Sequence, residues 1–431
     1  DLERYLTSDK KIIPKFHPST DVFVTDTHCF GCHSRSSRIS TNYLGLQETL
    51  LEEKDVKHTS DYKVLEDKRV YKYKVEDVHH TKGLLCIDCH SSQEVMGDGK
   101  QYAHEEQAVK IQCIDCHFKQ KPNTISYNDL DAESMLVFDH RDYNHQDKPI
   151  LAVKKSGHPL VNTYVDSLGD AYLIGKKDGK LHPLQPQGEV CARDNAHKNV
   201  SCASCHSSWT PRCIGCHNAF DKDEPSAFDL LDKKFTKGQW KEYVAEFSSS
   251  LPALGVRENK EGSIIEPAIP GMIMTIDLGS YADKTAEENL LFHRLYAPNA
   301  PHTTTKEVRD CKSCHSNAAT LGFGKGVLEY TIKNKQGKWI FTPEYALNAN
   351  DNLPEDAWVP FLKEIDPKTV NSTRSDFRPF KLKEQQKLLL VGACLQCHKD
   401  DSKVMKRSLE IGLNKLLKNI HSSCVLPDYT Y

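Results

Sequence analysis

Seven copies of the pattern Cys-x-x-Cys-His constrain this chain more than any other feature. With 16 Cys and 21 His among 431 residues, a shuffled sequence would contain roughly 0.03 copies of the pattern. The repeat is therefore not an accident of composition. The seven copies are Cys29–His33, Cys86–His90, Cys113–His117, Cys202–His206, Cys213–His217, Cys311–His315 and Cys394–His398.

This spacing suits the covalent attachment of haem c. Two thiols three positions apart can each bond to one of the two vinyl groups of a porphyrin, and the following His then lies under the ring, where it can bind the iron. The sequence therefore predicts seven covalently attached haem c groups. Their attachment residues are Cys29, Cys32, Cys86, Cys89, Cys113, Cys116, Cys202, Cys205, Cys213, Cys216, Cys311, Cys314, Cys394 and Cys397, and the proximal iron ligands are His33, His90, His117, His206, His217, His315 and His398.

Two other uses of Cys-x-x-Cys fit less well. A zinc ribbon pairs two such knuckles to reach four ligands and has no reason to place a His after every second Cys. A thioredoxin-like redox motif would occur once, at the start of a helix. We therefore favour haem over zinc or a redox disulfide.

The bulk composition agrees with a haem-filled interior. Only 38% of residues are hydrophobic and the mean hydropathy is -0.59, so we expect porphyrin faces to supply part of the core and the apo-chain to unfold. The formal net charge of -3 becomes more negative with ionised haem propionates, which argues against a nucleic-acid partner. No apolar run is long enough to span a membrane.

Haem attachment to this motif predicts export to the periplasm or the outside of the cell. We interpret Asp1 as the start of a processed form, without a lipid-anchoring Cys at that position. Cys191 and Cys424 remain after the motifs are counted, and in an oxidising compartment they are expected to form a disulfide. Free buried thiols, or an irregular extra haem attachment through Cys191, are the alternatives.

The spacing of the motifs predicts a multihaem cytochrome c fold, mostly irregular, with short helices and a few β-hairpins wrapped around a stacked haem chain. We expect a strand near Arg69–Val75, a hairpin over Thr163–Leu181 that turns at 177–179, a hairpin over Val327–Phe341 that turns at 334–337, and a turn-rich stretch at Glu266–Met274. Ser402 is expected to cap a helix whose apolar positions keep helical spacing from Met405 to Ile420. The segments are a three-haem region (1–117), a distal-His donor with a hairpin (118–200), a close haem pair (201–217), a haem-free insert (218–292) and a two-haem region with a terminal helix (293–431).

The second axial ligand decides what each haem can do. A haem with two imidazoles is six-coordinate and only exchanges electrons, whereas a reductase needs an open position. Beyond the seven motif His, 14 of the 21 His remain, twice the number that full bis-His ligation needs. A His just upstream of a motif can reach an adjacent haem, and site seven needs a remote partner, for which His17 and His293 stand behind His421. The candidate distal ligands are His28, His79, His80, His104, His197, His302 and His421.

Three stretches carry a resemblance to a known family: His197–His217 (HKNVSCASCHSSWTPRCIGCH), Pro301–Lys325 (PHTTTKEVRDCKSCHSNAATLGFGK) and Arg378–His398. They resemble segments of large multihaem c-type cytochromes from metal-reducing, electrode-respiring and related anaerobes. The resemblance implies periplasmic or extracellular electron transfer along stacked bis-His haems. In some relatives it also implies head-to-tail polymerisation into conductive filaments.

Two functions remain in competition at this point. The first is an electron carrier, not an enzyme, that passes electrons to other redox proteins or to an extracellular acceptor, with a homopolymeric filament as one form. The second is a multihaem reductase in which one open-coordination haem acts on a small nitrogen or sulfur oxyanion. The spin state of the iron separates them.

Overall fold

A computed structural model describes residues 24–33, 39–57, 60–188, 196–225, 227–229, 233–260, 262–279 and 289–429. The chain divides into two compact units. The first contains residues 1–34 and 79–193 with motifs one to three, and the second contains residues 35–78 and 194–431 with motifs four to seven. Residues 35–78, which the sequence segments placed with the first three motifs, thus group with the later ones.

Short helices and small antiparallel sheets make up the described part of the first unit. Its apolar clusters centre on Phe138 and Leu151, both fully buried. The strands are Thr124–Ile125 with Ile150–Leu151, and the meander Thr163–Val165, Ala171–Ile174 and Leu181–Leu184. The helices are Asp26–His33, Val78–Thr81, Cys86–Cys89, Ser92–Met96, Glu105–Ala108, Cys113–Cys116 and Ala132–His140.

A sheet of seven strands, counted over the described residues, runs through the second unit. Its long strand Gly262–Asp277 pairs with Cys216–Asp221, Ala253–Asn259 and Leu290–Pro298. The edge partners are Gln239–Tyr243, Val370–Ser372 and Phe377–Arg378. Smaller sheets pair Leu46–Glu48 and Tyr62–Val64 with Val70–Tyr73, Ala227–Asp229 with Lys234–Thr236, Thr210–Ile214 with Glu246–Ser250, and Gly326–Lys333 with Gln336–Pro343.

Two helices of the second unit, Ala318–Leu321 and Leu382–Cys394, contribute to an apolar cluster that contains Trp358 and Phe323. Arg294, on the strand Leu290–Pro298, is buried and connects that strand to residues 351–357. Its guanidinium donates to the Asp351 carboxylate and to the carbonyls of Pro354 and Ala357. The helices are Ile39–Tyr43, Cys202–His206, Cys311–His315, Ala318–Leu321, Leu382–Cys394, Lys403–Ile411 and Leu413–Leu417.

Several sequence predictions of local structure are confirmed. The strand Val70–Tyr73 lies within the predicted stretch, and the hairpin near Val327 turns at Asn334 and Lys335, both with positive φ as a tight two-residue turn requires. The hairpin over Thr163–Leu181 is a three-stranded meander, with one of its two turns at the predicted place. Ser402 caps its helix by accepting a hydrogen bond from the Met405 amide.

Two local predictions are wrong, and both errors have a physical cause. The stretch Glu266–Met274 is not a turn region but part of the strand Gly262–Asp277, which pairs with Ala253–Asn259 up to Ala268 and with Leu290–Pro298 from Ala268 onward. The ladder shifts register between Ile269 and Met272, so non-local pairing accommodates the second proline at an irregularity. The helix after Ser402 does not continue to Ile420, because Gly412 adopts φ 83° and separates two helices. The described chain is mixed helix and sheet, with more strand than the irregular fold we expected.

Candidate haem-binding sites

Short helical turns present most of the attachment motifs. The second, third, fourth and sixth motifs form the turns Cys86–Cys89, Cys113–Cys116, Cys202–His206 and Cys311–His315. Residues three apart on a helix are neighbours on one face, so the two thiols of each motif lie on the same side. The first motif lies within Asp26–His33, and the seventh begins at the last residue of Leu382–Cys394.

Polar caps fix where these turns begin. Ser201 and Asp310 accept hydrogen bonds from the backbone N–H groups of Ser204 and Ser313. In the two Cys-Ile-Asp-Cys-His motifs, the aspartate inside the turn accepts a hydrogen bond from the residue that precedes the turn. Asp88 accepts from the Leu85 N–H at 2.7 Å, and Asp115 accepts from the Gln112 N–H at 2.8 Å. The caps therefore come from the sequence immediately around each motif.

A backbone carbonyl orients the imidazole of three motif histidines. Nδ1 of His117 lies 2.7 Å from Gln185 O, Nδ1 of His206 lies 3.0 Å from Thr305 O, and Nδ1 of His315 lies 3.0 Å from Leu388 O. A carbonyl only accepts, so Nδ1 must carry the proton and Nε2 keeps its lone pair. This is the tautomer that a metal-binding imidazole needs.

His90 differs because its Nδ1 faces a carboxylate, Glu94 Oε2, at 3.2 Å. The other Glu94 oxygen accepts from the backbone N–H groups of Lys110 and Ile111. Burial alone would raise the pKa of Glu94, but the hydrogen bonds from His90, Lys110 and Ile111 outweigh it and lower the pKa to about 2.

Two predicted distal ligands lie close to motif histidines, with their rings tilted relative to one another. The ring centres of His79 and His117 are 6.0 Å apart, and those of His197 and His315 are 6.2 Å apart. A metal–imidazole bond is about 2.0 Å long and the ring centre lies about 1.1 Å behind the nitrogen, so imidazoles on opposite sides of one iron have centres about 6.2 Å apart. Both pairs fit a bis-His haem iron at sites three and six.

Direct ring contact covers the same range of distances, so the nitrogen atoms matter as well. In both pairs the Nδ1 of the motif His faces a carbonyl, which fixes the tautomer with the proton on Nδ1. Burial and, to a smaller extent, the nearby His197 lower the pKa of His315 to about 4, against the hydrogen bond to Leu388. A neutral imidazole is the form that binds iron.

The thiols of successive motifs are neighbours in the first unit. Burial raises the pKa of the Cys86 thiol, and Asp26 and the Cys29 thiol add to the effect. Burial also raises the pKa of Cys116 to about 12, with further contributions from Cys89 and Asp115. The attachment points therefore follow the order one, two, three.

In the second unit the attachment points do not simply follow sequence order. Burial lowers the pKa of Arg309, while the Cys314 and Cys205 thiols raise it, so motifs four and six flank the same guanidinium. The seventh motif lies near the sixth, because Asp400, two positions after His398, accepts a hydrogen bond from the Cys311 N–H at 3.0 Å.

The fifth motif is arranged differently from the others. Cys213 lies in the strand Thr210–Ile214 and Cys216 in the strand Cys216–Asp221, and both thiols are buried. The His217 ring lies 6.0 Å from Tyr243. The fifth motif therefore lacks the helical turn that the second, third, fourth and sixth motifs share.

The remaining distal candidates fall into two groups. Nδ1 of His302 lies 2.9 Å from Ala300 O, which places its proton on Nδ1, as in the motif histidines that face a carbonyl. In contrast, Nδ1 of His28 accepts from the Thr25 N–H and Nδ1 of His421 accepts from the Ser423 N–H, which places the proton of the neutral ring on Nε2. Among the described side chains, neither of these two has a ring contact with a motif imidazole. His80 and His104 are half-buried.

Several predicted site residues have no described surroundings. Cys32 and His33 lie within the helix Asp26–His33, but their side chains are outside the described part, as is all of His17. His398 is half-buried. Cys424 is exposed and Cys191 lies outside the described residues, so their disulfide stays a prediction.

His182 lies in the predicted distal-His donor segment 118–200 but is not among the leading distal candidates. Its side chain is buried on the strand Leu181–Leu184, and its Nε2 has no hydrogen-bond partner among the described residues. A buried polar atom without a partner costs about 1–3 kcal/mol, which a metal ligand bond would remove. No hydropathy pattern marks this position, because its apolar neighbour Leu181 is exposed while His182 is buried.

No protein-family model, curated protein or solved structure matches this chain. Across the described residues, no helix is long and apolar enough to cross a membrane. The same residues contain no group of three or more His, Cys, Asp or Glu side chains placed to hold a metal ion. A haem iron binds at most two protein ligands, since the porphyrin supplies four, so a haem site does not need such a group.

Proposed function

We propose that this protein is a heptahaem c-type cytochrome that carries electrons along a chain of bis-His haems in periplasmic or extracellular respiration. The observation that carries the proposal is the pairing of His79 with His117 and of His197 with His315 at ring distances of 6.0 and 6.2 Å. Both pairs combine a motif His with a His that the sequence independently indicates as a distal ligand.

The thiols, the motif histidines and three backbone carbonyls have different roles in holding the haems. The Cys thiols anchor each group, the motif His binds one side of the iron, and the carbonyls of Gln185, Thr305 and Leu388 hold three of these imidazoles in the correct tautomer. A haem iron ligated by two imidazoles exchanges one electron between its ferric and ferrous states and has no position open to a substrate. Distal histidines therefore protect the carrier from side reactions.

The neighbouring thiols also support a carrier. Motifs one, two and three adjoin in the first unit, and motifs four, six and seven are linked in the second. Adjacent attachment points bring successive redox groups near one another, as transfer between them requires. We further propose that the electron partners are other redox proteins or an extracellular acceptor, with a homopolymer as one assembly of the protein.

Two measurements on the purified protein test the proposal. Intact mass should exceed that of the 48.9 kDa polypeptide by seven haem groups, and electron paramagnetic resonance of the oxidised protein should show only low-spin iron. A colourless protein with the mass of the bare chain contradicts the proposal. A high-spin signal from one haem in seven instead supports a reductase with one open position.

A further inference from the structure

Glu94 is the most heavily hydrogen-bonded carboxylate beside a motif histidine in the described chain. Its side chain is only 7% exposed. It accepts from Lys110 N at 2.6 Å and Ile111 N at 2.9 Å through Oε1, and from Ser91 N at 3.4 Å and His90 Nδ1 at 3.2 Å through Oε2. The backbone donors hold the carboxylate in place against the imidazole.

The other motif histidines with a described Nδ1 partner bind a neutral group. His117, His206 and His315 each use a backbone carbonyl. A carboxylate is a stronger acceptor than a carbonyl and carries a full negative charge, so it draws the Nδ1 proton and makes the imidazole a more anionic ligand. Such a ligand favours the more highly charged ferric iron over the ferrous iron.

The nearby cation is Lys176, and none of its described hydrogen bonds goes to the Glu94 carboxylate. Lys176 Nζ donates to the carbonyls of Ile87 and His90, while its backbone N–H donates to the Asp88 carboxylate. The lysine therefore holds the motif turn in place, and the described contact of the imidazole Nδ1 remains with Glu94.

We propose that Glu94 sets the reduction potential of the haem attached at Cys86 and Cys89 below the potentials of the haems whose His donates to a carbonyl. This inference rests on the proposed function. Since the Cys86 thiol adjoins motif one and the Cys89 thiol adjoins motif three, the low-potential haem is the middle member of a row of three. An electron that crosses the row then meets an energy barrier at this haem, which slows passage through the first unit without setting its direction.

The test is the variant Glu94→Gln in the full haem-loaded chain. An amide keeps an oxygen for the Lys110 and Ile111 N–H groups but removes the charge, and its NH2 then faces the protonated Nδ1 of His90. A spectroelectrochemical titration should show one seventh of the haem absorbance shifted to higher potential. We expect at least a tenfold change in the reduction equilibrium constant, which is about 59 mV for one electron.

The matched control is Glu133→Gln, which removes an equal charge from an exposed residue that contacts the same helix through Ser92. Its titration should coincide with that of the unaltered protein. Glu94→Asp serves as a second variant, because it keeps the charge but withdraws it from His90, and it should produce a smaller upward shift.

The outcomes separate this inference from the proposed function. If the unaltered protein lacks covalent haem, the proposed function fails. If both Glu94 variants retain seven low-spin haems and titrate like the unaltered protein, only the role of Glu94 is overturned. An equal shift in the Glu133→Gln control also overturns it, because the effect would then belong to overall charge.

Discussion

Removing His79 should open one iron and leave the others unchanged. Its ring lies 6.0 Å from that of His117, so His79→Ala should convert the haem of site three alone to the five-coordinate state, one seventh of the total. His197→Ala should do the same at site six, because its ring lies 6.2 Å from that of His315. The double variant should convert two sevenths, since the two sites belong to different compact units.

Carbon monoxide counts the open irons. The reduced unaltered protein should bind none, each single variant one equivalent and the double variant two, and added imidazole should restore the low-spin spectrum. The exposed neighbours Lys82 and Lys198 provide control variants, Lys82→Ala and Lys198→Ala, which should bind none. His80 should not replace His79, because adjacent residues on a helix point in different directions. A His79→Ala protein that binds no carbon monoxide would refute the pairing.

Three further predictions concern stability. Burial raises the pKa of Glu384, but the hydrogen bonds from Arg378 outweigh burial and lower that pKa. The ion pair therefore stabilises the fold fully above the pKa that Glu384 has in the unfolded chain, and this stabilisation is lost as the pH falls through the pKa of the folded state. Glu384→Gln should flatten the acid side of a melting-temperature profile. Arg294→Met should cost about 3–5 kcal/mol because it leaves Asp351 buried without its partner, and differential scanning calorimetry should show the loss. Asp115→Ala should cost about 1–3 kcal/mol, because it leaves the Gln112 and Lys154 N–H groups without their acceptor, and the loss should appear as a lower melting temperature.

The attachment residues could be predicted from the sequence because their chemistry is local. Both thiols, the imidazole and the capping Asp88 or Asp115 lie within one helical turn, so a spacing rule captures them. The distal ligands could be predicted only as a set. His79 precedes the second motif but faces the third, and His197 precedes the fourth but faces the sixth; these choices depend on packing that the sequence does not display.

The strands were the least predictable part of the fold. The stretch Glu266–Met274 contains two prolines and no alternating pattern, yet it lies in a strand with partners on both sides. The partners, Ala253–Asn259 and Leu290–Pro298, are close in sequence but carry no motif that fixes their register. Non-local pairing therefore decided structure that local propensity did not.

The two His pairs suggest how haem and folding depend on one another. An iron held by His197 and His315 would join residues roughly 120 positions apart, and in the chain-entropy model a cross-link closing a loop of about 100 residues contributes about 4.7 kcal/mol. The pair His79 and His117 would close a shorter loop and contribute less. Because apolar clusters around Trp358 and Phe138 exist besides any haem, ligand loss at one iron should lower stability by a part of this amount without unfolding its unit. The ligand variants should therefore retain enough structure for their open irons to be counted.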